Sequence, residues 1–201
     1  MLARTYTGGL ILFLCLALLF LASAASAGTK EGQFAVEDSG RVTCTTYTKA
    51  SERKDEAYHR YVGFLEGYLT AANRYEPNTF DLTPWHSTAA IALIVNSHCG
   101  KNPKDNLAMA AQRLVIAMAP VRLATFSKLI EVGEVGEKAV IYATILKRAQ
   151  STLARKGLYR GEANGEFNPE FRTALAQFQT LAKLDPTGLP DTATLWVLLN
   201  P

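Results

Sequence analysis

The chain has 201 residues, with 21 Lys and Arg against 18 Asp and Glu, a formal net charge of +3 at pH 7, and a hydrophobic share of 48%. Its charges are scattered rather than clustered, which excludes the basic footprint that nucleic-acid binding requires. At this length two folded units are a better expectation than one.

The first element is a targeting segment. Arg4 precedes an apolar run over residues 10–21, and small residues follow, ending Ala25-Ser26-Ala27. That order of cation, apolar stretch and small-residue exit predicts a secretory signal peptide over residues 1–27, cleaved before Gly28. The run is shorter than the ~20 apolar residues that cross a bilayer, so no membrane association is expected after cleavage. Leu14 stands before Cys15 where a lipobox carries a small residue, which argues against a lipoprotein. Cys15 would leave with the signal, and Cys44 and Cys99 would remain. Two cysteines in an oxidising compartment predict one disulfide; the alternative is a pair of free buried thiols. No cysteine or histidine pair has zinc-ligand spacing, and neither a metal nor a cofactor is expected.

Residues 28–43 show no helical period and read as extended. Tyr58, Tyr61, Val62, Leu65, Tyr68, Leu69 and Ala72 then recur at three- and four-residue steps, one apolar helix face. Gly63 and Gly67 on another stripe would weaken a lone helix but admit a second backbone close by. Thr83-Pro84 predicts the start of a second helix, apolar on nearly every side, that ends at Cys99-Gly100. Asn102-Pro103 predicts a third, with Leu107, Ala110, Ala111, Leu114 and Met118 on one face. Residues 121–130 offer one further short helix. The near-repeat Glu131-Val132-Gly133-Glu134-Val135-Gly136 disfavours helix and marks a junction.

From Ala139 the punctuation becomes regular. A helix bearing Ile145, Leu146, Ala149 and Leu153 stops at Gly157, suited to a left-handed cap. Asn168-Pro169 opens a second, with Phe171, Ala174, Leu175, Phe178 and Leu181 as its apolar face, and Asp191 caps a last short helix bearing Leu195, Leu198 and Leu199. Gln150 with Leu153, Gly157-Leu158-Tyr159, Gly165-x-Phe167, Thr173-x-x-Ala176, Phe178-Gln179, Thr187-Gly188, and Asp191 with Thr194 and Leu195 form an ordered set. In that set, residues 145–199 resemble the three-helix peptidoglycan-binding domain attached to many cell-wall hydrolases. Asn164-Gly165 stands where the family usually has Asp-Gly, and Phe167-Asn168-Pro169 where it has Phe-Gly-Pro. Asparagine tolerates left-handed backbone and caps helices, so both departures leave the fold intact.

The resemblance implies a module that binds peptidoglycan. Sugar faces suit exposed aromatic rings, and stem-peptide carboxylates suit arginine forks. Tyr159, Arg160, Asn164 and Arg172 lie in or beside the turns and are the candidate ligand residues, with Tyr159 alternatively a core ring.

Such modules usually deliver a catalyst. Ser97-His98-Cys99-Gly100 is similar to the Ser-His-Gly-Cys of L,D-transpeptidases, but its glycine and cysteine are transposed and no arginine follows closely. A disulfide to Cys44 would also remove the thiolate. Glu66 lacks the surroundings of a transglycosylase acid, and His59 and His86 lack partners at a telling spacing. No catalytic residue is expected. Thr43-Cys44, the segment Val62-Gly63-Phe64-Leu65-Glu66-Gly67-Tyr68, the helix ending at Cys99 and the helix after Pro103 resemble the small disulfide-bonded periplasmic proteins typified by the HdeA acid chaperone and the Rap1a immunity proteins. That resemblance implies a role in protein binding, for which the loop residues Arg74, Tyr75 and Asp81 are candidates.

The expected fold is mainly α: a disulfide-bonded helical domain over residues 28–130, a linker over 131–144 and a peptidoglycan-binding-like domain over 145–201. The expected function is that of an exported, non-catalytic envelope protein, periplasmic or secreted and associated with the cell wall. Its expected partners are peptidoglycan and a periplasmic protein. The alternative is an enzyme or enzyme accessory in cell-wall remodelling.

Overall fold

The computed structural model describes residues 29–31, 33–134 and 137–200; the segment expected as a signal peptide, residues 1–27, lies outside the described residues. By its backbone contacts the chain divides between Ala35 and Val36, and every element below belongs to the unit that starts at Val36. In chain order these are α1 (Asp38–Arg41), α2 (Cys44–Arg53), α3 (Glu56–Tyr75), α4 (Thr88–Lys101), α5 (Leu107–Met118), β1 (Leu129–Glu134), β2 (Glu137–Tyr142), α6 (Ala143–Arg155), α7 (Pro169–Leu181) and α8 (Thr192–Leu199). The fold is mainly helical, as expected.

The helix starts are set by short polar side chains that accept an otherwise unpaired first-turn amide. Thr43, Asp55, Ser87, Asn106, Asn168 and Asp191 cap α2, α3, α4, α5, α7 and α8 in this way. Two of these starts correct the sequence expectation. Helix α4 opens after Ser87 rather than at Thr83-Pro84, because Asp81 holds the preceding loop: its carboxylate accepts from the Thr83 amide at 2.9 Å and its backbone pairs with Leu123. Helix α5 opens after Asn106 rather than at Asn102-Pro103, because Asn102 closes α4, its backbone and side-chain N–H groups both donating to the His98 carbonyl.

The helical half is built around Tyr47, whose ring is fully buried and whose hydroxyl donates to the Ala92 carbonyl at 3.1 Å. Burial pushes this phenol well above its ordinary range, so it stays a neutral donor. Tyr58 and Tyr61 tilt against it, and Leu65, Leu69, Ile91, Val95, Leu107, Ala111 and Leu114 complete the core. The expected disulfide joins Cys44, first residue of α2, to Cys99 near the end of α4. Its ends are 55 residues apart, and a closed loop of that size contributes about 4 kcal/mol by restricting the unfolded chain. The expected close approach at Gly63 and Gly67 is absent: both lie on the exposed side of α3, with nothing within 4 Å of where a Cβ would stand.

Residues 121–130 are not a helix. Leu123 pairs with Asp81, and the chain then enters β1, which runs antiparallel to β2 with Ile130 opposite Ile141 and Val132 opposite Ala139. The segment expected as a linker, residues 131–144, therefore holds most of a hairpin. Alternation explains it: Val132 and Ile141 are buried, Glu131 and Val140 point outward, and Lys138 reaches Glu131 at 2.6 Å. The inward face joins Ile145, Leu146, Ala149, Leu153, Phe171, Leu175 and Leu195 in a second core. Leu181, expected in that core, is 71% exposed at the end of α7.

The two cores are tied together. Trp85 and Leu123, from the chain before the hairpin, belong to the second core, and Val121 packs against both. The Arg148 guanidinium on α6 donates to the backbone carbonyls of Val121 and Arg122, the latter at 2.8 Å.

Candidate functional site

Helices α6, α7 and α8 form a three-helix module whose two turns are each locked by a buried glutamine. Gln150 on α6 is fully buried; its Oε1 accepts from the Gly165 amide at 2.8 Å and its Nε2 donates to the Glu166 carbonyl at 2.8 Å. Gln179 on α7 repeats the device at the next turn, accepting from the Gly188 amide at 2.7 Å and donating to the Leu189 carbonyl at 3.0 Å and the Thr194 hydroxyl at 2.8 Å. A buried amide must be satisfied on both ends, so each glutamine specifies the turn it faces. Gly165 has φ of 86° and a Cβ there would meet the Ala143 carbonyl oxygen at 2.7 Å. Gly188 has φ of 69° and lies against the Arg172 side chain. Helix α6 ends with Gly157 left-handed and the Leu158 amide donating back to Leu153, the termination the sequence predicted.

The four residues expected to bind ligand play different parts. Tyr159 is 3% exposed, packs edge-on to Phe171 with ring centroids 5.5 Å apart, and donates to the Glu162 carbonyl. This corrects the reading of Tyr159 as a sugar platform: its ring faces are inside the module. Asn164 is exposed and closes its own turn, accepting from the Glu166 amide at 2.9 Å. Arg172 is half-buried beside the Thr187-Gly188 turn, and Arg160 is exposed just after Tyr159. Of the three residues expected in a loop of the helical half, Arg74 and Tyr75 instead lie in the last turn of α3, Tyr75 74% exposed with the Arg74 guanidinium over its ring, whereas Asp81 is in the loop and is occupied in holding it.

A concave site that sequence reading missed lies along α6. Thr144, Lys147, Arg148, Ser151, Thr152 and Arg155, spaced by three and four residues, form one wall of a cleft of about 610 Å³. Trp85, Pro120, Val121 and Leu199 form the other. The signal for it was the polar stripe on α6 opposite Ile145, Leu146, Ala149 and Leu153; the apolar stripe drew attention because it defines the core. None of the lining residues is acidic. Burial lowers the Arg148 pKa from its very high ordinary value and leaves the group charged at neutral pH. Arg155 donates to the Thr152 hydroxyl at 2.8 Å.

The residues weighed for catalysis are engaged elsewhere. Cys99 is in the disulfide, and Glu66 accepts from the Thr88 hydroxyl at 2.7 Å on the surface between α3 and α4. His98 pairs with Asp105 at 2.9 Å, and Arg113 reaches the same carboxylate at 3.4 Å, joining the end of α4 to the start of α5. Among the described residues no group of three or more His, Cys, Asp and Glu converges as a metal would require, and no helix is long and apolar enough to cross a membrane.

Helices α6, α7 and α8 with their glutamine-locked turns make one compact three-helix unit. Residues 144–198, roughly a quarter of the chain, match the family of putative peptidoglycan binding domains. No curated protein and no solved structure matches the chain. The family match covers the α6 wall of the cleft and Leu199 adjoins its end, while Trp85, Pro120 and Val121 come from the preceding part of the chain.

Proposed function

We propose that this is an exported, non-catalytic cell-envelope protein that docks on peptidoglycan through residues 144–198 and offers its disulfide-braced helical half to a protein partner. The family match of the C-terminal module carries the first part of this reading. Export to the periplasm or beyond, with residues 1–27 as the signal, agrees with a disulfide between Cys44 and Cys99, since such bonds persist in oxidising compartments. The partner-binding role rests on the resemblance to small disulfide-bonded periplasmic proteins. It is supported by Leu93 on α4 and Ile116 on α5, each 67% exposed, and by Tyr75. Arg160, Asn164 and Arg172 remain the ligand candidates beside the module's turns, with Tyr159 a buried ring of the core.

Co-sedimentation of the mature protein with purified insoluble peptidoglycan tests the central claim. The intact protein is expected in the pellet, and a Gln150→Leu, Gln179→Leu double variant, which breaks both turns, is expected to remain in the supernatant. An intact protein that stays in solution at every wall concentration removes peptidoglycan from the reading.

A further inference from the structure

We propose that the cleft between α6 and the Pro120-Val121 turn binds the carboxylate groups of peptidoglycan stem peptides. This deepens the peptidoglycan reading above and rests on it. The cleft gathers Lys147, Arg148 and Arg155 on one wall with no acidic side chain in its lining. None of the three forms an ion pair with a carboxylate among the described residues. Three cations on one side of a helix set up a positive field that favours an anionic ligand.

The geometry divides the labour. Arg148 spends its Nη atoms on the Val121 and Arg122 carbonyls, so it is a fixed positive charge in the lining rather than a mobile fork. Arg155 is held toward Thr152, and Lys147 is exposed. Ser151, also in the lining, donates to the Lys147 carbonyl at 2.9 Å and keeps acceptor capacity on its hydroxyl oxygen. Carboxylates are recognised by charge-assisted hydrogen bonds, which Lys147 and Arg155 are the lining residues to supply.

Sugar recognition asks for something different, an aromatic face open to solvent. The only aromatic ring in the lining, Trp85, is 7% exposed and stacks on His86 with ring centroids 5.0 Å apart, so it offers no platform. A volume of about 610 Å³ falls in the range that encloses small ligands, and the apolar wall of Pro120, Val121 and Leu199 suits the alkyl portions of a short peptide.

The test uses the full mature protein and four ligands: intact sacculi, sacculi freed of phosphate polymers, glycan strands stripped of stem peptides by an amidase, and the released soluble stem peptides. Wild-type protein is expected to bind both sacculus preparations, to bind stripped glycan at least ten-fold more weakly, and to be displaced by the soluble peptides. A Lys147→Glu, Arg155→Glu double variant is expected to lose at least ten-fold in sacculus affinity, and Lys128→Glu, outside the cleft, to lose less than two-fold. Lys147→Ala and Arg155→Ala, each at an exposed position, carry the same comparison if the double reversal fails to fold. Equal binding of stripped glycan, whose lactyl groups are carboxylates once the amide is cut, loss of binding with the phosphate polymers, or wild-type affinity in the folded cleft variants would overturn the stem-peptide assignment and leave peptidoglycan binding standing. Failure of wild-type protein to bind any sacculus removes both.

Discussion

The Arg148 guanidinium, carried on the first helix of the C-terminal module, donates to the backbone carbonyls of Val121 and Arg122, which close the helical half. One side chain therefore satisfies two carbonyls in a stretch that is neither helix nor sheet. Hydrogen bonds from a charged donor contribute roughly 1.5–3 kcal/mol each, reduced at a half-buried site. Arg148→Ala is expected to lower unfolding free energy by about 2 kcal/mol. Arg148→Lys should recover less than half of that, because an ammonium lacks the fork that spans both oxygens. Urea titration followed by tryptophan fluorescence measures this, and a variant as stable as wild type would show the link to be incidental.

Each buried glutamine is expected to be worth more than its size suggests. Replacing Gln179 by Met keeps the volume but strands the Gly188 amide and the Leu189 carbonyl in the interior. An unsatisfied buried group costs about 1–3 kcal/mol, so a loss near 3 kcal/mol is expected by calorimetry or denaturant unfolding.

Glycine positions should separate cleanly by environment. Gly165→Ala is expected to destabilise by about 2 kcal/mol or more, since its φ is left-handed and the Ala143 carbonyl oxygen occupies the space. Gly63→Ala, in the exposed middle of α3 with open space around it, is expected to stabilise by roughly 0.5–1 kcal/mol. Thermal melts of the two single variants should shift in opposite directions.

His86 gives a pH dependence. Its ring stacks on Trp85 and meets Trp196 edge-on at 5.6 Å, and burial depresses its pKa below the usual histidine value. Asn200 and the Asp81 carboxylate oppose this shift, yet neither ring nitrogen has a well-formed hydrogen bond, so desolvation dominates. A histidine whose folded pKa is lowered favours folding while it is neutral. Its contribution is full above the unfolded pKa of about 6.5 and is lost as pH falls below it toward the folded value, with a slope of at most about 1.4 kcal/mol per pH unit. His86→Phe should flatten the stability profile between pH 7 and pH 5, and an unchanged slope would assign it to other groups.

Residue pattern by itself determined the helical class, the caps at Asn168 and Asp191, the left-handed stop at Gly157 and the three-helix module, and it favoured the pairing of Cys44 with Cys99 over free thiols. These are local properties, or follow from the count of available partners, and each is written in a short run of residues. Tertiary structure decided the rest. Whether Thr83 or Ser87 starts α4 depended on Asp81 pairing with Leu123, about 40 residues away. The hairpin at residues 129–142 depended on a core that receives Val132 and Ile141, because two short alternating strands have little preference of their own. Tyr159 is equally compatible with a surface or a core until Phe171 is placed against it. The α6 cleft exists only because residues 120–121 and Trp85 are brought to the polar side of a helix whose apolar side was the legible one. A helical stripe specifies which side chains share a face; what stands opposite that face is settled by long-range packing.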